Sequence, residues 1–193
     1  MVFDLESATL PSAYPFALWK ALLRHSPQLA TEKSVGILPL RATVNKEGVF
    51  LTKRTKLVLR LPITVAELTA ASLSGSTLQL DSNLLSIGKY KSRAILPFPT
   101  LHGQLVMGDR DEVLFIEDIK KQLSEMGITA NLICGKRHSI NNEQQSIQGY
   151  SLVIHDLKPD ASLQLQYAGL GGNRQLGCGI FIPYKVISGL SDD

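Results

Sequence analysis

The stretch Gly169-Leu170-Gly171-Gly172-Asn173-Arg174-Gln175-Leu176-Gly177-Cys178-Gly179 stands near the end of the chain, directly before the apolar run Ile180-Phe181-Ile182-Pro183. Five of its eleven residues are glycines, which let backbone N–H groups approach a bulky ligand closely. Successive N–H groups in such a turn form a concavity that binds anions, and an arginine beside them can bind a phosphate in a bidentate manner. The stretch therefore predicts a phosphate-binding loop over residues 169–179.

The position of this loop indicates which kind of phosphate it binds. Its glycines precede a strand, and the fingerprints of nucleotide sites, G-x-x-x-x-G-K-[ST] and strand-G-x-G-x-x-G-helix, are both missing. We therefore interpret the loop as a clamp for a polymer backbone. Its predicted contact residues are Gly169, Gly171, Gly172, Asn173, Arg174 and Gly177.

The residues on both sides of the loop predict a β-α-β-β-α-β unit. Hydrophobic periodicity, an acidic first helical turn and Gly127 as a C-cap define its elements. We predict strands over 101–107, 128–134, 149–157 and 178–183, helices over 111–126 and 159–167, and a polar loop over 135–148.

The first half of the chain repeats this pattern. We predict strands over 2–5, 35–44, 49–61, 77–80 and 84–90, helices over 15–25 and 64–72, a hairpin turn over 45–48, and Thr64 as an N-cap. The repeat indicates an α+β protein with two tandem ferredoxin-like (RRM-like) units, assigned to residues 1–92 and 93–193. The alternative is a single larger α+β domain.

Composition excludes several classes of protein. The 193 residues are 44% hydrophobic and 19% charged, as in an ordinary globular protein, and no apolar run approaches the roughly 20 residues of a membrane span. The first residues are acidic and lack the basic start of a secretory signal. Cys134 and Cys178 stand apart, and the four histidines show no ligand spacing, so we expect no disulfide, metal or cofactor and a cytoplasmic location.

Positive charge is concentrated in the first half. Residues 1–95 hold 12 Lys and Arg against 6 Asp and Glu, whereas residues 96–193 hold 8 against 11. A basic surface of this kind attracts an anionic polymer. Three basic groups are candidate phosphate contacts, with ordinary solvated faces as the alternative: Lys53, Arg54, Lys56 and Arg60; Lys89, Lys91 and Arg93; Lys136 and Arg137.

The glycine loop at the end of paired ferredoxin-like units resembles the repeat-associated RNA-binding proteins of CRISPR systems. More specifically, the chain is similar to the CRISPR repeat-processing endoribonuclease, the sixth Cas protein, of the variety labelled type I-MYXAN. The similar stretches are LPSAYPFALWKALLRHSPQLA (10–30), VGILPLR (35–41), LVLRLP (57–62) and DASLQLQYAGLGG (160–172).

The resemblance implies a function in a prokaryotic cytoplasm. Proteins of this family cut the CRISPR transcript within each repeat without a metal, by attack of a ribose 2′-OH on the adjacent phosphate. They often remain on the 3′ stem-loop of the crRNA as a subunit of the Cascade surveillance complex, beside its backbone Cas proteins. Relatives of this branch also act with transposition proteins.

The reaction needs an acid and a base, and three residues are candidates. His25 on the first helix is the first choice, with a histidine favoured by the helix C-terminal dipole as the structural alternative. Tyr14 is the second candidate and His138 the third. The resemblance implies histidines just before and just after the first helix, where this chain has Tyr14 and Ala30.

The remaining aromatic and histidine residues are interpreted as structural. We assign Trp19, Phe181 and Tyr184 to the core, with base stacking as the alternative, and His102 and His155 to satisfied positions within apolar strands.

Three alternative functions follow from the same residues. A non-cutting protein that only holds the hairpin shares the binding features. A backbone subunit of the complex shares the fold but oligomerises along the guide RNA. A phosphoesterase for small cyclic phosphates needs paired HxT/S motifs, which this chain lacks.

Overall fold

The computed structural model describes residues 1–6, 9–45 and 48–184 of the chain. Its strands are β1 (Val2–Glu6), β2 (Thr9–Leu10), β3 (Gly36–Ile37), β4 (Ala42–Asn45), β5 (Gly48–Leu51), β6 (Lys56–Arg60), β7 (Thr77–Leu80), β8 (Asn83–Lys91), β9 (Leu101–Met107), β10 (Asn131–Asn141), β11 (Ser146–His155) and β12 (Phe181–Pro183). Its α-helices are α1 (Tyr14–His25), α2 (Ile63–Leu73), α3 (Glu112–Glu125) and α4 (Pro159–Ala168). Short 3-10 helices span Pro27–Thr31 and Arg174–Leu176.

The second unit follows the predicted element order β9-α3-β10-β11-α4-β12. Its four strands form an antiparallel sheet in the order β10-β11-β9-β12. One face of this sheet packs on α3 and α4 through a core that includes Leu152, Phe115 and Leu165. The Asp111 side chain accepts hydrogen bonds from the N–H groups of Val113 and Leu114 at 2.8 and 3.2 Å, so a capping carboxylate fixes the start of α3.

The first unit has the same strand order. Its sheet runs β3-β6-β1-β8-β7, and without the added edge strand β7 this order corresponds to β10-β11-β9-β12. Phe3 and Leu57 of the sheet pack with Leu18 and Leu22 of α1 and with Leu73 of α2. The α+β class and the tandem ferredoxin-like architecture are therefore confirmed.

Every strand of the first sheet ends by Lys91, and every strand of the second begins at or after Leu101. Each sheet has its own hydrophobic cluster. We therefore keep the division into 1–92 and 93–193 as a proposal.

The predicted strand over 49–61 is wrong, because its two ends belong to different sheets. Residues 48–51 form β5, which pairs with β2 and β4, whereas β6 pairs with β1 and β3. Between them, the Thr55 N–H donates to the Thr52 carbonyl at 2.9 Å, and the Thr55 hydroxyl donates to the Arg41 carbonyl at 2.6 Å. Thr55 is buried at the end of this otherwise exposed turn, and the turn redirects the chain.

The predicted strand over 35–44 is also divided. Only β3 and β4 are strands, and Pro39 lies between them, where its missing N–H cannot complete a ladder. The predicted hairpin turn lies between β4 and β5, which pair from Ala42 to Asn45, while residues 46 and 47 are outside the described residues.

The predicted polar loop over 135–148 is reduced to residues 142–145. β10 continues to Asn141 and pairs along its length with β11, and a register shift lies between Cys134 and Arg137. Most side chains at this end of the hairpin are exposed to solvent. The strands can therefore be polar here, because neither face has to pack against a hydrophobic core.

Thr64 is not the N-cap of α2. The helix begins at Ile63 after Pro62, and no side chain caps it.

Within the described residues, no helix has the length and apolar character needed to cross a membrane.

Arg60 joins the two units. From β6 its guanidinium donates to the Gln166 carbonyl at 2.9 Å, the Gln166 side-chain oxygen at 3.4 Å and the Phe181 carbonyl at 2.6 Å. Burial, and after it the neighbouring Arg174, lower the pKa of Arg60 to about 10. The predicted phosphate contact at Arg60 is therefore wrong, because its guanidinium N–H groups already donate to oxygen atoms of Gln166 and Phe181 in the second unit.

We expect Arg60→Met to lower the free energy of unfolding by about 2 kcal/mol, because it leaves partly buried carbonyl oxygens without a donor. Arg54→Met is the matched control, since Arg54 is exposed, and it is expected to cost less than about 0.5 kcal/mol. Urea denaturation measures both. Equal stabilities for the two variants would show that the Arg60 contacts do not hold the units together.

Candidate active site

A cleft of about 230 Å³ lies between the two units. The start of α1 and residues 39–42 form its first wall, and β9, β10 and the glycine loop form the second. Its lining residues are Ser12, Tyr14, Pro15, Pro39, Leu40, Ala42, Val49, Gln104, Leu105, His138, Ser139, Ile140, Leu176 and Gly177. Three residues singled out from the sequence, Tyr14, His138 and Gly177, thus meet in one place.

Tyr14 is held at the first turn of α1. Its hydroxyl oxygen accepts a hydrogen bond from the Leu40 N–H at 3.1 Å, and its ring packs against the first core. Burial raises the pKa of the Tyr14 phenol, with the Leu40 hydrogen bond acting in the opposite direction. The phenol is thus neutral near pH 7 and can donate its hydrogen rather than act as a base.

His138 lines the same cleft as Tyr14, from the other unit. It lies on β10 just after the register shift and pairs with Gly149 of β11. The side chain is exposed, so it is free to exchange protons with a ligand in the cleft.

His25 lies elsewhere. It is the last residue of α1 and is exposed, and it is not among the residues that line the cleft. Eleven helical residues separate it from Tyr14, or about 16 Å along the axis. One phosphate therefore cannot contact both residues along this helix.

Arg174 of the glycine loop points into the protein. It is 7% exposed and donates to the Tyr167 carbonyl oxygen, and its side chain lies against Gly36 and Gly169. Its buried Nε has no hydrogen-bond partner in the described part of the chain. RNA contact through this guanidinium stays a prediction, and it requires a movement of the side chain out of this position.

Most N–H groups of the loop are already used. Those of Gly169, Gly171, Gly177 and Gly179 donate to Leu165, Gln122, Arg174 and Leu105. Among the described residues, the N–H groups of residues 172–175 make no such bond. Asn173 has a φ of 53°, and its side-chain amide nitrogen lies 3.1 Å from the Met107 sulfur. The concavity predicted from the sequence is thus reduced to four consecutive N–H groups.

Lysines from two of the predicted basic groups lie around Asp4 on one surface. The Lys56 ammonium nitrogen lies 2.8 Å from an Asp4 carboxylate oxygen. Lys56 has the largest effect in lowering the pKa of the Asp4 carboxyl, and the charges of Lys91 and Lys89 lower it further. These lysines come from β6 and β8, which flank β1 in the first sheet. We call Lys56, Lys89 and Lys91 the lysine patch.

The other predicted basic residues are exposed. Lys53 and Arg54 lie in the turn before β6, and Arg93 follows β8. Lys136 and Arg137 lie on β10 beside the cleft residue His138, and the Arg137 guanidinium contacts the Gln148 side chain.

Sequence reasoning missed Gln104 and Ser139, which line the cleft with His138. Neither belongs to a motif, and only the pairing of β9 with β11 and of β11 with β10 brings them near each other. No cluster of three or more metal-ligating side chains occurs among residues 1–6, 9–45 and 48–184.

Comparisons with known proteins identify the family. The family model described as Cas6 Crispr matches residues 1–186. The chain belongs to the Cas6 family. It is 30% identical to a CRISPR-associated endonuclease Cas6 of Myxococcus xanthus over 185 residues, which are 95% of this chain and 80% of that protein.

Solved structures show the same Cas6 fold. A CRISPR-associated protein Cas6 aligns with a TM-score of 0.67 at 12% identity and covers 95% of this chain and 98% of its own. The product of a Cas6-related gene from Pyrococcus furiosus aligns with a TM-score of 0.62 at 12% identity, over 94% and 96% of the two chains. These likenesses place the tandem ferredoxin-like units in a known architecture.

Proposed function

We propose that this Cas6-family chain is a metal-independent endoribonuclease that binds the repeat stem-loop of a CRISPR precursor transcript and cuts it in the cleft. The observation that carries the proposal is the meeting of Tyr14, His138 and the glycine loop in one cleft between the two units. The Myxococcus relative, described as an endonuclease, supports the class of reaction.

The cleft contains the groups that phosphodiester transfer needs. A base removes the proton of the 2′-OH, an acid protonates the leaving 5′-oxygen, and donors stabilise the charge on the phosphorane. We assign acid–base work to His138, because an imidazole can accept a proton at one ring nitrogen and donate one from the other. Tyr14 donates its hydroxyl hydrogen to a phosphate oxygen, and the N–H groups of residues 172–175 bind the neighbouring backbone.

This assignment differs from the first choice made from the sequence. His25 lies outside the cleft, so the structure favours the third candidate, His138, together with the second, Tyr14. His25 then has the structural role of a histidine at a helix C-terminus.

The proposed partners follow from this function. The protein remains on the 3′ stem-loop of the crRNA in the cytoplasm and joins the backbone Cas proteins of a Cascade complex, with transposition proteins as further partners in a transposon-linked system. The lysine patch and the β10 cations contact phosphates.

The alternative is a non-cutting protein that only holds the hairpin. The inward position of Arg174 and the residues Tyr14 and Ala30, at the places where the resemblance implies histidines, favour it. Incubating the protein with its cognate repeat in EDTA separates the two functions. A product ending in a 2′,3′-cyclic phosphate supports the endoribonuclease, whereas tight binding without product supports the holder.

Phosphate contacts by the lysine patch predict a change in salt dependence. We expect the double variant Lys89→Ala/Lys91→Ala to bind the repeat more weakly and to reduce the slope of log K against log salt by about 1.5 to 2, because each lost contact no longer releases its counterions. Anisotropy titrations at several salt concentrations measure the slope.

The matched control is Lys120→Ala/Lys121→Ala, which removes two lysines from α3 on the helix side of the second sheet. It is expected to leave the slope unchanged. An equal loss of slope in both double variants would indicate a general charge effect and contradict specific contacts at the patch.

A further inference from the structure

The second sheet has an open row of side chains on the face opposite α3 and α4. Ile133, Val153, His102 and Ile182 are direct partners across β10, β11, β9 and β12. The adjacent residues of these strands, such as Leu132, Leu152 and Leu101, pack in the core with the helices. Because side chains alternate along a strand, the open row faces away from the helices.

An aromatic pair stands on this row. The rings of His102 and Tyr184 lie 5.5 Å apart with an interplanar angle of 42°. Tyr184 is 48% exposed, which shows that its predicted place in the core is wrong, whereas Phe181 is buried as predicted and Trp19 is half-buried. The Tyr184 N–H donates to the Thr100 carbonyl at 3.0 Å, so the backbone holds the ring at the edge of the sheet.

Part of the same face is covered and part is open. Leu105 and Ile147 pack against the glycine-loop residue Leu176 and against Trp19 of α1. The open row takes no part in these clusters of the described residues, and Ile133 is 55% exposed. The cleft residues Gln104 and His138 lie on β9 and β10, the strands that also supply His102 and Ile133. The open row therefore continues the wall of the cleft.

The charge of this sheet suits a nucleic acid. Its four strands hold Lys136, Arg137 and three histidines and no Asp or Glu. The acids of the unit are concentrated on the opposite side, where α3 alone carries four, so the strands of this sheet carry no carboxylate although this half has a negative net charge. Asp156, directly after β11, pairs with the His155 ring at 2.8 Å. Burial, and after it the charge of His138, lower the pKa of His102, so this imidazole is neutral near pH 7.

We propose that the open row is a platform for single-stranded RNA, on which the His102–Tyr184 pair stacks a base of the strand that leaves the cleft. Exposed aromatic rings on a sheet bind bases without regard to sequence, because every base has a π-face. Apolar Ile133, Val153 and Ile182 then contact the neighbouring base or sugar. The inference rests on the proposed function, since the cleft must hold the adjoining hairpin.

The test compares two RNA probes by fluorescence anisotropy at one salt concentration: the cognate repeat hairpin alone, and the same hairpin with its natural single-stranded flanks. For the wild-type protein, the flanks are expected to increase affinity. Tyr184→Ala and His102→Ala are each expected to weaken binding of the flanked probe about tenfold, the size of one lost base stack, and to leave binding of the bare hairpin unchanged.

Two further variants control the interpretation. Tyr184→Phe keeps the ring and is expected to retain the effect of the flanks. Tyr167→Ala removes a tyrosine of similar exposure from α4 and is expected to bind both probes like wild type. Thermal unfolding of each variant confirms that the fold is kept.

The outcomes separate this inference from the proposed function. Flanks that add the same affinity in Tyr184→Ala as in wild type would overturn the platform and leave the hairpin function intact. Variants that bind both probes normally but lose association with other subunits of the complex would overturn it in favour of a protein contact. A wild-type protein that binds neither probe would overturn the proposed function itself.

Discussion

The His138→Ala variant is expected to cut the cognate repeat about a hundredfold to ten-thousandfold more slowly than wild type, and to bind it with nearly unchanged affinity. The reason is that His138 supplies a proton-transfer group at the cleft while the glycine loop and the basic residues supply the binding. Single-turnover cleavage in EDTA and anisotropy binding measure the two effects separately.

His25→Ala is the matched control for this loss. His25 is also an exposed histidine, but it lies at the far end of α1, outside the cleft. We expect it to cut at the wild-type rate. A slow His25→Ala together with a fast His138→Ala would reverse the assignment and restore the order in which the sequence ranked these residues.

The second large effect is expected in the glycine loop. At Gly179 the φ is +62°, and an added Cβ would overlap the Leu170 carbonyl oxygen. Gly179→Ala is therefore expected to lower the free energy of unfolding by about 2–5 kcal/mol, because backbone strain adds to a clash that no side chain can relieve. Urea denaturation of the variant measures this loss.

Gly172→Ala isolates the contribution of the clash. Gly172 has a φ of +79°, but no atom lies within 4 Å of its added Cβ. Only the left-handed backbone then opposes the substitution, at about 1–2 kcal/mol. Equal losses of stability in the two variants would show that close packing of the loop against Leu170 does not matter.

Much of the fold can be predicted from the sequence because local signals agree with it. The helix α3 has the expected acidic first turn, and Gly127 directly follows its C-cap Met126 with a φ of 68°. The structure adds that Asp111, predicted as the first helical residue, is the N-cap. The repeated element order is also visible, since both sheets bury one apolar face against two helices.

The errors occur where tertiary pairing overrides local pattern. The alternation through residues 49–61 looks continuous, yet the turn anchored by buried Thr55 sends its two ends into different sheets. The polar residues 135–148 suggest a loop because an exposed hairpin end needs no hydrophobic alternation. The local sequence shows neither the break between β5 and β6 nor the extension of β10 and β11 into the polar segment.

The candidate site was predictable in its residue types but not in its assembly. The sequence indicates Tyr14, His138 and Gly177 as candidates, but no spacing in the chain shows that these three share a cleft and that His25 lies outside it. Arg60 and Arg174 look alike in the sequence as candidate phosphate ligands. In the structure both guanidinium groups donate to carbonyl oxygens inside the protein. Arg60 is therefore used between the units, whereas RNA contact by Arg174 stays a prediction that requires its side chain to move.

The central claim is that the scissile phosphate lies in the cleft between the two units. A cognate repeat with 4-thiouridine at the cut position, photocrosslinked to the intact protein and mapped by mass spectrometry, tests it directly. We predict crosslinks to β10 around His138 or to the glycine loop. Crosslinks at the C-terminal end of α1 around His25, with none in the cleft, would contradict this account.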